Sequence, residues 1–159
     1  MERFLVLYES VYKDLYRLAY FYLGNPQDAE DVVGETVLRA YEKFSTLRNE
    51  AAFRSWIFKI LVNQCNNFLK KHISGKSTEL ITEPTYHPEL GDAVIAKDML
   101  SVLSEKERKI VVLAVFGGYK GEEIAKIMHM RHSTLRSQYR RALKKLENKL
   151  LAEEVQYEK

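Results

Sequence analysis

Cysteine is all but missing. Cys65 stands alone in 159 residues, so no disulfide can close within the chain, and such usage fits a reducing compartment. Proline is confined to positions 26, 84 and 88, and glycine is scarce; a chain this poor in breakers can run in long helices. Sustained alternation of apolar and polar residues is lacking too, which removes the strand pattern and predicts an all-α fold. No apolar stretch reaches the ~18 residues of a membrane-span candidate. Met1-Glu2-Arg3-Phe4 opens the chain without the basic region, apolar run and small-residue cleavage site of an export signal, which predicts a cytoplasmic protein with no stable membrane insertion. There is no phosphate-cradling glycine loop and no coherent nucleophile-and-base set, so the chain is not expected to be an enzyme and no cofactor is implied. His129 and His132 lie three apart with no further ligand evident, which favours surface histidines over a metal site. Cys65, four residues after Leu61 and three before Phe68, reads as a core residue.

What is present is ordinary for a globular protein: 46% hydrophobic and 30% charged residues, with a net charge of +3. The charge is unevenly spread. Residues 1–72 carry 10 Lys/Arg against 9 Asp/Glu, residues 73–95 carry 1 against 4, and residues 96–159 carry 14 against 9. That asymmetry points to a polyanion-binding C-terminal half behind an acidic connector.

Helical periodicity runs through Phe4, Leu7, Val11, Leu15, Leu18, Ala19 and Tyr22 until Gly24-Asn25-Pro26. Asn25 is a credible N-cap and Pro26 suits the first helical position after it. The next helix has one continuous stripe of Ala29, Val32, Val33, Thr36, Val37, Ala40, Tyr41 and Phe44. A polar loop over 45–50 leads to a third helix with Phe53, Trp56, Ile57, Ile60, Leu61 and Phe68 turned inward. The period then fails, and Pro84 and Pro88 fall in turn-like sequence. Ser104-Glu105-Lys106-Glu107 is a capping box in which Ser104 bonds the Glu107 amide while Glu107 reaches back. The helix behind it carries Ile110, Val111, Leu113, Ala114 and Phe116 and stops at Gly117-Gly118. A short helix with Ile124, Ala125, Ile127 and Met128 follows, then a last one with Leu135, Tyr139, Ala142, Leu143, Leu146 and Leu150 on its buried side. The expected organisation is two small helical domains, 1–72 and 96–152, joined by a flexible acidic linker over 73–95, with a C-terminal tail over 153–159.

Three faces carry candidate chemistry. The last block has the dimensions of a helix-turn-helix. Ser133, Arg136, Ser137, Arg140, Arg141 and Lys144 recur on its second helix opposite the leucines. Arginine grips guanine edges with two hydrogen bonds, and Ser or Lys holds phosphates. A solvated basic face is the plainer reading, but Glu147 is the only acid between Arg131 and Leu151 against seven Lys/Arg, which favours DNA binding. On the second helix, Asp31, Glu35, Leu38 and Glu42 form an acidic row with one apolar member; a solvated face and an interface with a basic partner stay equally open. On the third, Lys59, Asn63, Asn66, Asn67 and Lys70 share a side, with Lys71 and His72 behind. Asparagine can meet adenine or an unstacked base, though spacing alone favours solvated polar residues.

The run Leu23-Gly24-Asn25-Pro26-Gln27-Asp28-Ala29-Glu30-Asp31-Val32-Val33, with Glu35-Thr36 and Arg39-Ala40-Tyr41, resembles region two of extracytoplasmic-function sigma factors of the sigma-70 family. So does Phe53-Arg54-Ser55-Trp56-Ile57-Phe58-Lys59-Ile60 ending at Asn63. Leu103 to Arg108, Glu122-Glu123-Ile124-Ala125, and Thr134-Leu135-Arg136-Ser137 with Arg140-Arg141-Ala142 resemble region four. The resemblance covers most of the chain in the right order. It implies a factor that directs core RNA polymerase to promoters, acts in a stress or envelope response and is controlled by an anti-sigma factor, which holds some members at the membrane. It also implies roles: Asp28, Asp31, Val32, Glu35, Leu38 and Tyr41 on the polymerase clamp; Leu47, Arg48, Asn49, Lys59, Asn63, Asn66, Asn67 and Lys70 on the opened −10 element; Arg131, Ser133, Thr134, Arg136, Ser137, Arg140, Arg141 and Lys144 on the −35 duplex. A flipped −10 base costs a few kcal/mol of unstacking, so a pocket that rewards it both reads sequence and holds the strands apart. The acidic linker would lie near the RNA path.

The sequence departs from the family pattern in three places. Gly34 replaces a larger polar residue at a cost of ~1 kcal/mol against alanine. Lys120-Gly121 replaces a Ser-aromatic pair, removing the usual N-cap. Met128-His129-Met130-Arg131-His132 replaces a Leu-Gly turn and its Pro-acid-Gly sequel. Two other classes compete with the sigma reading. A dimeric helix-turn-helix regulator leaves Leu38 and the aromatic third helix unexplained. A sigma-like adaptor that binds only protein leaves the Arg136/Arg140/Arg141 face unexplained.

Overall fold

A computed structural model describes residues 1–73 and 93–158, with side chains described outside 73 and 93–96. Among these residues every regular element is helical: α1 (Glu2–Leu23), α2 (Pro26–Lys43), α3 (Phe53–Ile73), α4 (Ala93–Leu100), α5 (Glu105–Val115), α6 (Gly121–Ile127) and α7 (His132–Tyr157), with short 3-10 turns at Phe44–Thr46 and Glu50–Ala52. The chain divides into two compact units, Met1–Pro88 and Glu89–Lys159. Most of the stretch read as an acidic linker lies outside the described residues.

In the first unit the local signals do what their chemistry requires. Gly24, at φ 81°, ends α1 in the left-handed region, and its N–H returns to Tyr20 O. The Asn25 side chain accepts from the N–H groups of Gln27 at 2.8 Å and Asp28 at 3.2 Å, with Pro26 opening α2. α1, α2 and α3 each pack on the other two. Leu15, Leu18, Ala19, Ala29, Ile57, Leu61 and Cys65 are fully enclosed. Phe4 meets Tyr41, Phe44 and Phe53 edge-on, with ring centres 5.3–5.8 Å apart. Thr36 is the one fully buried polar residue among those described, and its hydroxyl donates to Val32 O at 2.7 Å.

Two expectations for this unit need correction. Tyr41 continues the apolar stripe of the second helix in sequence but is 45% exposed, resting edge-on against Phe4. On α3 the enclosed residues are Phe53, Ile57, Phe58, Leu61, Val62 and Cys65, while Trp56, Ile60 and Phe68 are only half-buried. A helix seated on two neighbours buries a wider face than a single three-four stripe, and that face takes in Phe58 and Val62. The expected loop over 45–50 is also more regular than anticipated. Asn49 caps its second 3-10 turn by accepting from Ala51 N–H at 3.0 Å, and Arg3 of α1 pairs with Glu50.

In the second unit Ser104 caps α5 by accepting from Glu107 N–H at 3.2 Å. The reciprocal half of the capping box does not form; Glu107 Oε1 accepts from Lys145 Nζ at 2.8 Å, and Oε2 is buried without a hydrogen bond. Gly118, at φ 67°, turns the chain after α5 so that Tyr119 N–H reaches Leu113 O. Gly117 beside it has no room for a side chain unless its neighbours shift: a Cβ there would stand 2.7 Å from Leu113 O and 2.6 Å from the Tyr119 ring. Ile110, Val112, Leu113, Ile124, Leu135 and Ala142 form the centre. Leu143 and Leu150, expected on the buried side of the last helix, are 44% and 50% exposed. Leu143 stands about 100° round the helix from the buried Ala142 and so faces sideways; for Leu150 the reason is length. At 1.5 Å per residue α7, with 26 residues, runs about 39 Å while the 11 residues of α5 span about 16 Å, so its far half outruns the helix beneath it. It also continues through Tyr157, past the boundary drawn at 152, so most of the expected tail is helix.

Candidate nucleic-acid and protein interfaces

α5, α6 and α7 pack on one another, and α6 with α7 makes the helix-turn-helix. Its basic residues sort into two sets by partner. Arg131, Arg136, Arg140 and Arg141 are exposed and form no ion pair among the described residues. Ser133, Thr134, Ser137 and Lys144 are exposed beside them; Lys144 reaches Glu147 at 3.8 Å, and Ser137 Oγ donates to Ser133 O at 3.2 Å. Lys145, though exposed, and Lys149, largely covered, are engaged with α5 and α4. Lys145 bonds Glu107, while Lys149 donates to Asp98 O at 2.7 Å and pairs with its carboxylate at 3.2 Å. In sequence all seven cations look alike; the fold uses two of them to fasten α7 and leaves the arginines facing water.

The turn that orients this face has its own construction. Met130 N–H bonds Ala125 O at 2.9 Å and His129 N–H bonds Lys126 O at 3.3 Å, the paired bonds that close a helix when the residue between is left-handed. That residue is His129, at φ 54°. Histidine visits this region more readily than most side chains, though less readily than glycine. α6 starts at Lys120 without a side-chain cap, as its sequence predicts. Gly121 lies so near the start of α7 that a Cβ there would stand 3.0 Å from His132 Nε2.

In the first unit Asp31, Glu35, Leu38 and Glu42 are exposed along α2, and Leu38 is 64% exposed. Glu35 holds Arg39 at 3.1 Å, and Gln27 reaches Asp31 at 3.5 Å. Val32 is buried and faces the core, so the exposed part of the row is Asp31, Glu35 and Leu38 with Tyr41 at its end. Asp28 is half-buried at the first turn. Burial pushes its carboxyl above the usual range, the nearby His72 pulls it down and Asp31 adds to the rise. Leu47 is half-buried; Arg48 and Asn49 are exposed, with the Asn49 oxygen engaged in its cap. Lys59, Asn63, Asn67 and Lys70 lie along α3, and all four are exposed. Asn66 differs: its Oδ1 accepts from the Tyr22 hydroxyl at 2.6 Å, which ties α3 to α1. Burial pushes that hydroxyl above the usual phenol range, with Cys65 adding to the rise and the bond to Asn66 opposing it. No sequence signal announced the tie, since it joins residues 44 apart. Among the described residues no group of three or more His, Cys, Asp or Glu side chains is placed to hold a metal, and no helix is long and apolar enough to cross a membrane.

Residues 7–73 match the family model for sigma-70 region 2, and residues 94–146 match that for sigma-70 region 4. The RNA polymerase sigma factor SigV of Bacillus subtilis is 32% identical over 146 residues, covering 90% of this chain and 88% of that one. The ECF RNA polymerase sigma-E factor of Haemophilus influenzae is 28% identical over 141 residues, covering 77% and 75%. Among solved structures, the sigma factor RpoE from Bartonella quintana, in complex with the anti-sigma factor NepR, has a TM-score of 0.65 at 23% identity, with 94% of each chain covered. CnrH in complex with the cytosolic domain of CnrY has a TM-score of 0.60 at 20% identity, covering 96% of this chain and 90% of that one. Two helical units in this order, the second holding a basic helix-turn-helix, define a non-catalytic transcription-initiation factor. The chain belongs to the extracytoplasmic-function group of the sigma-70 family.

Proposed function

We propose that the first unit binds the polymerase clamp through Asp31, Glu35, Leu38 and Tyr41, with Asp28 at the edge. The same unit takes the opened −10 strand on Leu47, Arg48, Asn49, Lys59, Asn63, Asn67 and Lys70. Asn66 contributes there by holding the helix in place, and Val32 by supporting the acidic row from beneath. The second unit reads the −35 duplex with Arg131, Ser133, Thr134, Arg136, Ser137, Arg140, Arg141 and Lys144. The observation that carries this reading is the division of cations on α7. Lysines that fasten the helix are taken up in ion pairs, while four exposed arginines have no acid partner among the described residues. Phosphates and guanine edges satisfy such arginines.

The two structural relatives were each solved with a protein partner, an anti-sigma factor in the case of RpoE. That supports control of this chain by an anti-sigma factor; the role in a stress or envelope response follows from the family resemblance. The test is co-elution of the purified chain with core RNA polymerase on size exclusion. Stable co-elution that is lost on reversing charge at Asp31 and Glu35 is the expected result. Arg136→Ala with Arg141→Ala should spare co-elution and lower selectivity at the −35 element by ~1–3 kcal/mol for each base no longer gripped. Both variants failing in the same way would overturn the division of labour between the units.

A further inference from the structure

The turn between α6 and α7 carries three basic side chains that the base-reading face does not use, Lys126, His129 and His132, beside Arg131, which it does. Lys126 from the end of α6, His129 from the turn, and Arg131 and His132 at the start of α7 line one open cleft of about 730 Å3. Glu122 is the single acid in its lining. None of the four basic side chains is buried, and none forms an ion pair among the described residues. The backbone below them is fixed by the bonds from Met128 to Ile124, His129 to Lys126 and Met130 to Ala125. The left-handed backbone of His129 sets the direction of its side chain, and the His132 ring lies against Gly121. Both histidines therefore line the cleft, exposed, at positions set by the backbone of the turn.

We propose that this cleft is a contact for the phosphate backbone of duplex DNA, beside the base-reading face of α7, and that protonation of His129 and His132 sets its strength. Lys126 and Arg131 against Glu122 give the lining a charge of +1 with neutral imidazoles, and +3 with both protonated. Arg136, four residues after His132 on the same side of α7, is the next cation. A phosphate in the cleft favours the protonated rings, so binding takes up protons and affinity rises as pH falls. Histidine is the side chain whose charge changes between about pH 5 and 8. The gain is thus fully present at the acid end of that window and lost at the alkaline end. The inference rests on α7 being the DNA-reading helix.

The test is fluorescence anisotropy of the full chain on a short random-sequence duplex at fixed low ionic strength. Wild type should bind roughly tenfold more tightly at about pH 6 than at about pH 8. His129→Asn with His132→Gln should bind at both pH values as wild type does at the higher one; Asn tolerates the left-handed position. His132→Lys, with one charge fixed, should bind more tightly than wild type at the higher pH and keep only the smaller response of His129, which keeps the test decisive if the double variant folds poorly. The other two of the chain's four histidines, His72 and His87, serve as controls, and replacing both with Gln should leave the pH response intact. A double variant that keeps the full response, or a wild type that binds equally at both pH values, overturns the proposal while leaving the DNA reading standing. Failure to bind at either pH overturns both.

Discussion

The two units solve the same problem, a rigid support for surface chemistry, with different materials. In the first, three helices of 18 to 22 residues close over a core rich in rings: Phe4, Tyr16, Phe21, Tyr22, Phe53 and Phe58 are all buried. In the second, the buried residues described are aliphatic throughout, and Phe116, Tyr119 and Tyr139 are only half-buried. There the longest of the described helices is fastened along its far half by Lys145–Glu107 and Lys149–Asp98. A small unit with few large side chains to bury gains less from removing apolar surface from water. Polar fasteners at half-buried positions add stiffness where packing has run out. The difference has a functional side, because the cations that secure α7 and those proposed to meet DNA come from one helix and are told apart by whether an acid partner holds them.

The comparison can be broken most forcefully at the cores. Phe53→Ala should cost about 3–5 kcal/mol in urea unfolding, and Leu113→Ala about 2–5 kcal/mol. If the aliphatic site proves the more costly, rings are not what distinguishes the first unit. Next in size is Gly117→Ala, which forces a Cβ against Leu113 O and Tyr119 and should destabilise the second unit by about 1–3 kcal/mol. A thermal melt unchanged from wild type would show that the turn yields. Tyr22→Phe and Asn66→Ala should each cost about 1 kcal/mol, and the double variant little more than either, since both remove one bond. Additive losses would mean that the two side chains act separately and would return Asn66 to the nucleic-acid face. The smallest effects are the most pointed. Lys149→Met should lower stability by roughly 0.5–1 kcal/mol and leave DNA affinity alone. Arg136→Ala should do the reverse in the same pair of measurements. An Arg136 variant that melts early, or a Lys149 variant that no longer binds DNA, would erase the distinction between the two sets of cations.

Much of this was legible in the sequence because it is local. Asn25-Pro26 after Gly24, and Ser104 before Glu107, act on neighbours a few residues away, so their roles follow from residue type alone. The acidic row of α2 was legible for the same reason: Asp31, Glu35 and Leu38 share a face whatever the rest of the chain does. What sequence could not reach depends on what a helix lies against. Phe58 and Val62 are buried because α3 has two neighbours, and Tyr41 is exposed although it continues an apolar period. Leu150 faces outward because α5 is shorter than α7. Lys145 looks like a member of the basic face until Glu107, 38 positions earlier, is found beside it.

Cys65 has a practical consequence. It is the only thiol in the chain, and it is sealed in the core of the first unit. Thiol reagents therefore meet nothing on the folded surface. A cysteine introduced at one exposed site in each unit would take a dye or spin label without removal of the native residue. The distance between the two labels could then be followed in the free chain and in the presence of polymerase.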